Sequence, residues 1–128
     1  MTDHEVPAML PNGLPAPPVP KGLREMLRDY PEHIERLQEA LNWVVEHPAK
    51  GIPAFERAIW ALEGRTETFI SEARDELEKA ETVGDAEEIS RAKKKELLML
   101  HSRSTGSWKM KELMAYFDAG KHEVGHGQ

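Results

Sequence analysis

The strongest constraint on the fold is a helical pattern that runs from residue 53 to about residue 102 and is interrupted once, at Gly84-Asp85. Apolar residues in its first half are spaced by threes and fours, which is typical of one face of an amphipathic α-helix. They are Phe55, Ile59, Leu62, Phe69, Ala73, Leu77 and Ala80. Gly84 is a suitable helix C-terminus, and Asp85 with Glu88 forms an N-cap and capping box for the next helix. The sequence therefore predicts two long helices folded into an antiparallel hairpin.

Shorter helical segments flank this hairpin. The spacing of leucine and methionine predicts a helix over residues 21–29, which ends before Pro31. A second helix is expected over residues 31–47, and a last one over residues 109–119 that ends at Gly120. No segment alternates with a period of two for long enough to predict a strand. The expected fold class is therefore all-α, an irregular helical bundle built on the long antiparallel hairpin.

Proline dominates the start of the chain, since six of the nine prolines lie in residues 1–20. Proline lacks an amide donor and fixes its φ angle, so we expect a disordered, flexible and extended arm. The P-x-x-P spacings at residues 15–18 and 17–20 favour a spacer or a packed arm over an SH3-type ligand. A single helical domain is expected over residues 21–120, followed by a frayed tail at residues 121–128.

Composition narrows the class of protein. The 128 residues include no cysteine, which excludes a disulfide framework and a thiolate metal site and suits a bacterial or viral protein of the cytoplasm. No stretch approaches the length of apolar chain that spans a membrane, and the acidic N-terminus lacks the features of a secretory signal. The net charge of −6 disfavours nonspecific affinity of the whole chain for nucleic acid. We therefore expect a cytoplasmic protein without membrane contact.

Charge is segregated along the predicted hairpin. Residues 63–88 hold ten acidic residues against three basic ones, and residues 91–111 hold seven basic residues against Glu96. Folding about Gly84 places the two segments side by side, so the favoured interpretation is mutual neutralisation that selects the antiparallel register. The alternative is a nucleic-acid-binding regulator whose basic strip contacts phosphates. The basic strip consists of Arg91, Lys93, Lys94, Lys95, Arg103 and Lys109.

Residues 122–126 match H-E-x-x-H, the pattern in which two histidines one helical turn apart bind zinc and the glutamate acts as general base. In this pentapeptide the chain resembles the zincin metallopeptidases, which makes a metal-dependent hydrolase using His122, Glu123 and His126 an alternative. Three glycines in and beside the motif oppose the helix it needs, and only two residues follow it to supply a third ligand. We therefore expect no resident metal and no cofactor, with weak zinc binding by His122 and His126 as the most that the tail provides.

The remaining features do not indicate catalysis. Trp43, Trp60 and Trp108 lie on three different predicted helices, so we expect core packing, with an anchor for a partner as the alternative. A glycine-rich phosphate loop, a nucleophile elbow and paired inward carboxylates are not recognisable in the sequence. We therefore expect a protein that is not an enzyme.

The length of the predicted hairpin favours protein binding. A continuous helix from residue 53 to residue 83 is about 46 Å long, which exceeds what the three shorter helices can cover. Its distal apolar stripe would meet water unless a partner covered it. We therefore expect a small interaction module, an adaptor, regulator or inhibitor, that forms a homodimer or larger oligomer through the distal hairpin. The expected partner-binding residues are Phe69, Ile70, Ala73 and Leu77.

Overall fold

The computed structural model of the protein describes residue 10 and residues 13–125, with side chains described up to residue 119. Five α-helices follow one another without a β-strand between them in this part of the chain. They are α1 (Lys21–Met26), α2 (Pro31–Glu46), α3 (Ala54–Val83), α4 (Ala86–Ser102) and α5 (Lys111–Gly125), with a 3-10 turn (Thr105–Ser107) before α5. The predicted all-α helical bundle is confirmed.

The α3–α4 hairpin forms where the sequence predicts it. α3 is continuous over its 30 residues, which makes it about 45 Å long. It ends at Gly84, whose φ of 85° lies in the left-handed region that glycine adopts without strain. The Oδ1 atom of Asp85 then accepts hydrogen bonds from the amides of Glu87 and Glu88, at 3.0 and 3.5 Å. The Glu88 carboxylate makes no return hydrogen bond within the described structure, so Asp85 acts as an N-cap without a capping box.

α3 is the central element of the bundle, because it packs against α2, α4 and α5, while α1 packs against α4. The fully buried side chains on and beside these helices include Leu23, Leu27, Leu37, Leu41, Leu62, Phe69, Met99, Trp108 and Leu113. Burial of each such side chain stabilises the fold by roughly 1.5 to 3 kcal/mol. α3 therefore provides the surface on which a single core is assembled.

Trp108 links α1 to the end of α4. Its indole Nε1 donates a hydrogen bond to the Ser102 carbonyl at 2.8 Å, and its own carbonyl accepts one from the Gly22 amide at 2.7 Å. A Cβ atom at Gly22 would overlap the carbonyl oxygens of Ser107 and Trp108. Only glycine therefore lets the first turn of α1 approach this backbone.

The arm that precedes α1 packs on the bundle over its described length nearest α1. Its buried residues are Pro17, Val19 and Pro20. The Gln38 side-chain amide donates to the Pro17 carbonyl at 2.6 Å, and the Tyr116 hydroxyl donates to the Pro15 carbonyl at 2.8 Å. The segment is extended, as its prolines predict, but proline rings still bury apolar surface and proline carbonyls still accept hydrogen bonds. Residues 15–20 therefore contact the helical domain, and residues 1–9, 11 and 12 lie outside the described residues.

The last helix differs from the prediction at both ends. α5 begins at Lys111, after Lys109 has adopted a left-handed backbone with φ of 57°, and it continues past Gly120 to Gly125. Glycine inside a helix costs only about 1 kcal/mol relative to alanine, so it does not by itself end one. The predicted end at Gly120 is therefore corrected to Gly125, and residues 126–128 of the predicted tail lie outside the described residues.

Gly64 offers a test of the continuity of α3. It is exposed within the helix, and a Cβ atom built there meets nothing within 4 Å. The substitution Gly64→Ala should raise the free energy of unfolding by about 1 kcal/mol, because alanine favours the helix and restricts the unfolded chain. In the control Gly84→Ala the Cβ atom also has space, but the left-handed backbone should lower that free energy by about 1 to 2 kcal/mol. Urea denaturation followed by circular dichroism measures both, and effects of the same sign would contradict the assignment.

Removal of residues 1–20 tests the packing of the arm. Loss of the buried Val19 and of the Pro17 contact should lower the free energy of unfolding by at least about 1.5 kcal/mol. For a domain of this size such a loss corresponds to a fall of several degrees in melting temperature. A thermal melt compares the truncated and full chains, and an unchanged midpoint would show that the arm contributes nothing measurable to stability.

Candidate functional site

The distal part of the α3–α4 hairpin projects beyond the rest of the bundle. Coverage by α2 ends near Tyr30, whose ring centre lies 5.0 Å from the Nζ atom of Lys95, while Lys95 also pairs with Glu76 at 3.0 Å. From residue 77 to residue 94, which we call the hairpin tip, almost every side chain is exposed. The exceptions are Leu77, Ala80, Ile89 and Ala92. The tip is therefore a two-helix projection held by a narrow apolar seam.

An open groove of about 580 Å³ runs along one face of the hairpin tip. Its lining is Glu76, Lys79, Ala80 and Val83 from α3, Glu88, Arg91, Ala92 and Lys95 from α4, Asp85 at the turn and Tyr30 at the base. Steps of three and four along each helix place these residues on a single face. The small side chains of Ala80 and Ala92 are buried, whereas 77% of Val83 is exposed at the far end. The groove therefore combines a shallow apolar strip with charged edges.

The groove continues the surface on which α2 packs. The ring of Phe69 in α3 lies 4.2 Å from that of His33 in α2, centre to centre. Glu76, Ala80 and Val83 follow Phe69 by seven, eleven and fourteen residues, which places them on nearly the same face of α3. Because α2 begins only at Pro31, none of the described residues forms a third helix on that face along the tip. The groove is therefore the uncovered extension of the position that α2 occupies.

The structure places the predicted partner-binding residues, Phe69, Ile70, Ala73 and Leu77, mostly in the core. The first three are buried in the core and Leu77 is half-buried. Phe69 is covered by His33 and by the Arg36 guanidinium, which lies 4.9 Å from its ring centre. These side chains are covered in part by α2 of the same chain, and the periodicity of α3 alone does not show which part of its stripe α2 covers. The exposed apolar surface lies one to two helical turns nearer the end of the hairpin, around Val83.

The basic strip separates into paired and unpaired cations. The ion pairs are Lys95 with Glu76 at 3.0 Å, Arg103 with Glu67 at 3.3 Å and Lys109 with Glu25 at 3.0 Å. The first two, with the 3.3 Å pair of Arg74 and Glu96, join α3 to α4 in the predicted antiparallel register. Among the described residues, Arg91, Lys93 and Lys94 have no ion-pair partner. These three cations are therefore unpaired within the described structure, whereas Lys95 lines the groove while it is paired with Glu76.

Two of the three tryptophans depart from the expected core packing. Trp108 is fully buried, but 55% of Trp43 and 56% of Trp60 are exposed. Trp43 stacks on His47 with ring centres 4.2 Å apart, so part of its apolar surface is covered locally. Composition alone did not reveal this, because it does not say which face of a helix an indole occupies. Core packing is therefore wrong for Trp43 and Trp60.

A buried histidine lies at the boundary between the core and the groove. His33 lies between the rings of Tyr30 and Phe69, and its Nδ1 atom is buried without a hydrogen-bond partner in the described structure. Burial lowers the pKa of His33, and the positive charges of Lys95 and Arg36 lower it further. The sequence showed His33 only as an isolated helical residue. Its imidazole packs from the first turn of α2 against Phe69 of α3, and the lowered pKa favours its neutral form.

An ion pair holds α2 against α3 beside this histidine. Arg36 donates two hydrogen bonds to the Glu72 carboxylate, at 2.8 and 2.9 Å. The nearby guanidinium lowers the pKa of Glu72, so this carboxylate keeps its charge into acid. Both side chains are partly exposed, so the pair positions α2 more than it stabilises the fold.

In the described part of the chain, no three histidine, aspartate or glutamate side chains are grouped so that they would hold a metal ion. His126 of the H-E-x-x-H match lies outside the described residues, as do the side chains of His122 and Glu123. None of the described helices combines the length and apolar character needed to cross a bilayer.

No protein-family model, curated protein or solved structure matches the chain. A functional proposal therefore depends on the geometry of the groove, on the unpaired cations of α4 and on the exposed apolar residues.

The buried imidazole predicts a loss of stability in weak acid. Because the pKa of His33 is lower in the folded protein than its ordinary value of 6.5, the unfolded chain takes up the proton more readily below about pH 6.5. The free energy of unfolding should therefore fall as the pH decreases from about 6.5, whereas above that pH the contribution of the neutral imidazole is fully present. His33→Gln should remove this part of the pH dependence.

The exposed His47 provides the matched control, since His47→Gln should leave the pH dependence in place. Urea denaturation at about pH 7 and about pH 5 measures the difference, a range that lies above the titration of ordinary carboxylates. Equal pH dependence in wild type and His33→Gln would contradict the assignment.

Proposed function

We propose that the protein is a small protein–protein interaction module that binds a helix of its partner in the groove of the hairpin tip. The observation that supports this proposal is the face of α3 that α2 covers as far as Tyr30 and that continues uncovered beyond it, where it forms the groove with α4. A helix laid in such a groove contributes apolar residues at steps of three and four. The small floor residues Ala80 and Ala92 leave room for larger side chains of the partner.

The charges of the groove select the kind of partner. Its cations are Lys79, Arg91 and Lys95, and its carboxylates are Glu76, Asp85 and Glu88. A helix with an apolar stripe flanked by charges of both signs fits this lining. A uniform polyanion does not, because three carboxylates would face its phosphates. We infer an adaptor, regulator or inhibitor that acts by binding and carries out no reaction of its own.

A nucleic-acid-binding regulator is the second candidate, because Arg91, Lys93 and Lys94 have no ion-pair partner among the described residues. Three paired cations of the basic strip, Lys95, Arg103 and Lys109, weigh against it. Anisotropy measurements with a short DNA duplex at about 50 and 200 mM salt distinguish the two candidates. Affinity that falls steeply with salt and is lost in the variant Lys93→Glu/Lys94→Glu would favour nucleic acid.

Site-specific crosslinking at Val83 tests the proposed function. A photoreactive phenylalanine derivative in place of Val83, in cells that naturally make the protein, should crosslink to protein because this side chain stands open at the end of the groove. The matched control is Leu97, which is 58% exposed on α4 but does not line the groove. Mass spectrometry of the products measures the yields. No protein product from position 83, or equal yields from the two positions, would contradict the proposal.

A further inference from the structure

We propose that the occupant of the groove is a second copy of this chain, packed face to face and antiparallel against the hairpin tip. The inference rests on the proposed function, since it names the partner of the same groove. Its basis is the order of charges along the groove side of α4. Asp85 and Glu88 lie at the end of the hairpin, and Arg91 and Lys95 lie towards its base. A helix whose two halves carry opposite charges is complementary to an antiparallel copy of itself.

The contacts follow from twofold symmetry. In a twofold interface each contact occurs twice, once in each direction. An axis that crosses α4 between Glu88 and Arg91 places Glu88 of one copy opposite Arg91 of the second copy. The same axis brings Asp85, the N-cap of α4, to within one residue, about 1.5 Å along the helix axis, of the level of Lys95 of the second copy. Glu88 with Arg91 and Asp85 with Lys95 thus form two kinds of complementary contact across the interface.

The position of α2 selects the antiparallel arrangement over the parallel one. α2 starts at Pro31 on the same face as the groove, so two parallel hairpins packed face to face would bring their α2 helices into collision. In the antiparallel arrangement the tip of each copy lies along the other's groove and reaches towards the second copy's Tyr30. Val83, the most exposed of the large apolar side chains in the described structure, then leaves water in both copies.

Charge reversal on α4 tests the inference with the full chain. Sedimentation equilibrium in the micromolar range should show a wild-type dimer whose association weakens with added salt. Glu88→Lys and Arg91→Glu should each shift the protein towards the 14.5 kDa monomer, because each places like charges opposite one another in the two symmetry-related contacts between residues 88 and 91. An equimolar mixture of the two variants should form a heterodimer in which these two contacts are again complementary. The double variant Glu88→Lys/Arg91→Glu should restore the homodimer.

Glu87→Lys is the matched control. It makes the same charge change in the same helical turn, but Glu87 does not line the groove, so the dimer should persist. Circular dichroism confirms that each variant remains helical.

A wild-type monomer at the highest concentration would overturn this inference. If Val83 then still crosslinked to a different protein, the interaction module would stand and only the second copy would be excluded. A dimer unaffected by charge reversal at residues 88 and 91, or one that the mixture fails to restore, would overturn the antiparallel geometry.

Discussion

The apolar stripe of α3 is the surface on which the rest of the bundle depends. α2, α4 and α5 all contact this helix, and its side chains at Leu62 and Phe69 are fully buried by them. A continuous 30-residue helix sets the length of that surface, and the 16-residue α2 can cover only part of it. The bundle is therefore asymmetric, with a closed end where the helices meet and an open end where only α3 and α4 remain. The groove lies at the boundary between the two.

The residues at this boundary are coupled to one another. Tyr30 lies where the coverage of α3 by α2 ends. His33 packs between the rings of Tyr30 and Phe69, and the Nζ atom of Lys95 from α4 lies over the Tyr30 ring. Arg36 and Glu72 fix the same turn of α2 on α3. A change in the charge of one member therefore affects both the packing of α2 and the base of the groove. The site and the core are not separate regions of this molecule.

Those features that depend on neighbouring residues in the chain could be predicted from the sequence. The stripe of α3, the glycine at its end and the Asp85 cap are local, and each appears where the pattern indicates. The antiparallel charge register was predictable for the same reason, because a tight turn at Gly84 fixes which residues of the two helices meet. The position of the groove could not be predicted, because the part of α3 that α2 covers depends on tertiary packing. The burial of Val19 and the exposure of Trp43 and Trp60 also depend on elements distant in the sequence, which periodicity does not encode.

The contact between Gly22 and Trp108 has a consequence for the order in which the chain folds during synthesis. α1 leaves the ribosome early, but the backbone it packs against is made only after α2, α3 and α4 have been completed. The hairpin involves contacts between neighbouring segments and can form as soon as α4 emerges. α1 can then contact α4, but its first turn meets the Trp108 backbone only once that residue has been made. Until then the nascent chain keeps exposed the apolar surface that Trp108 later buries.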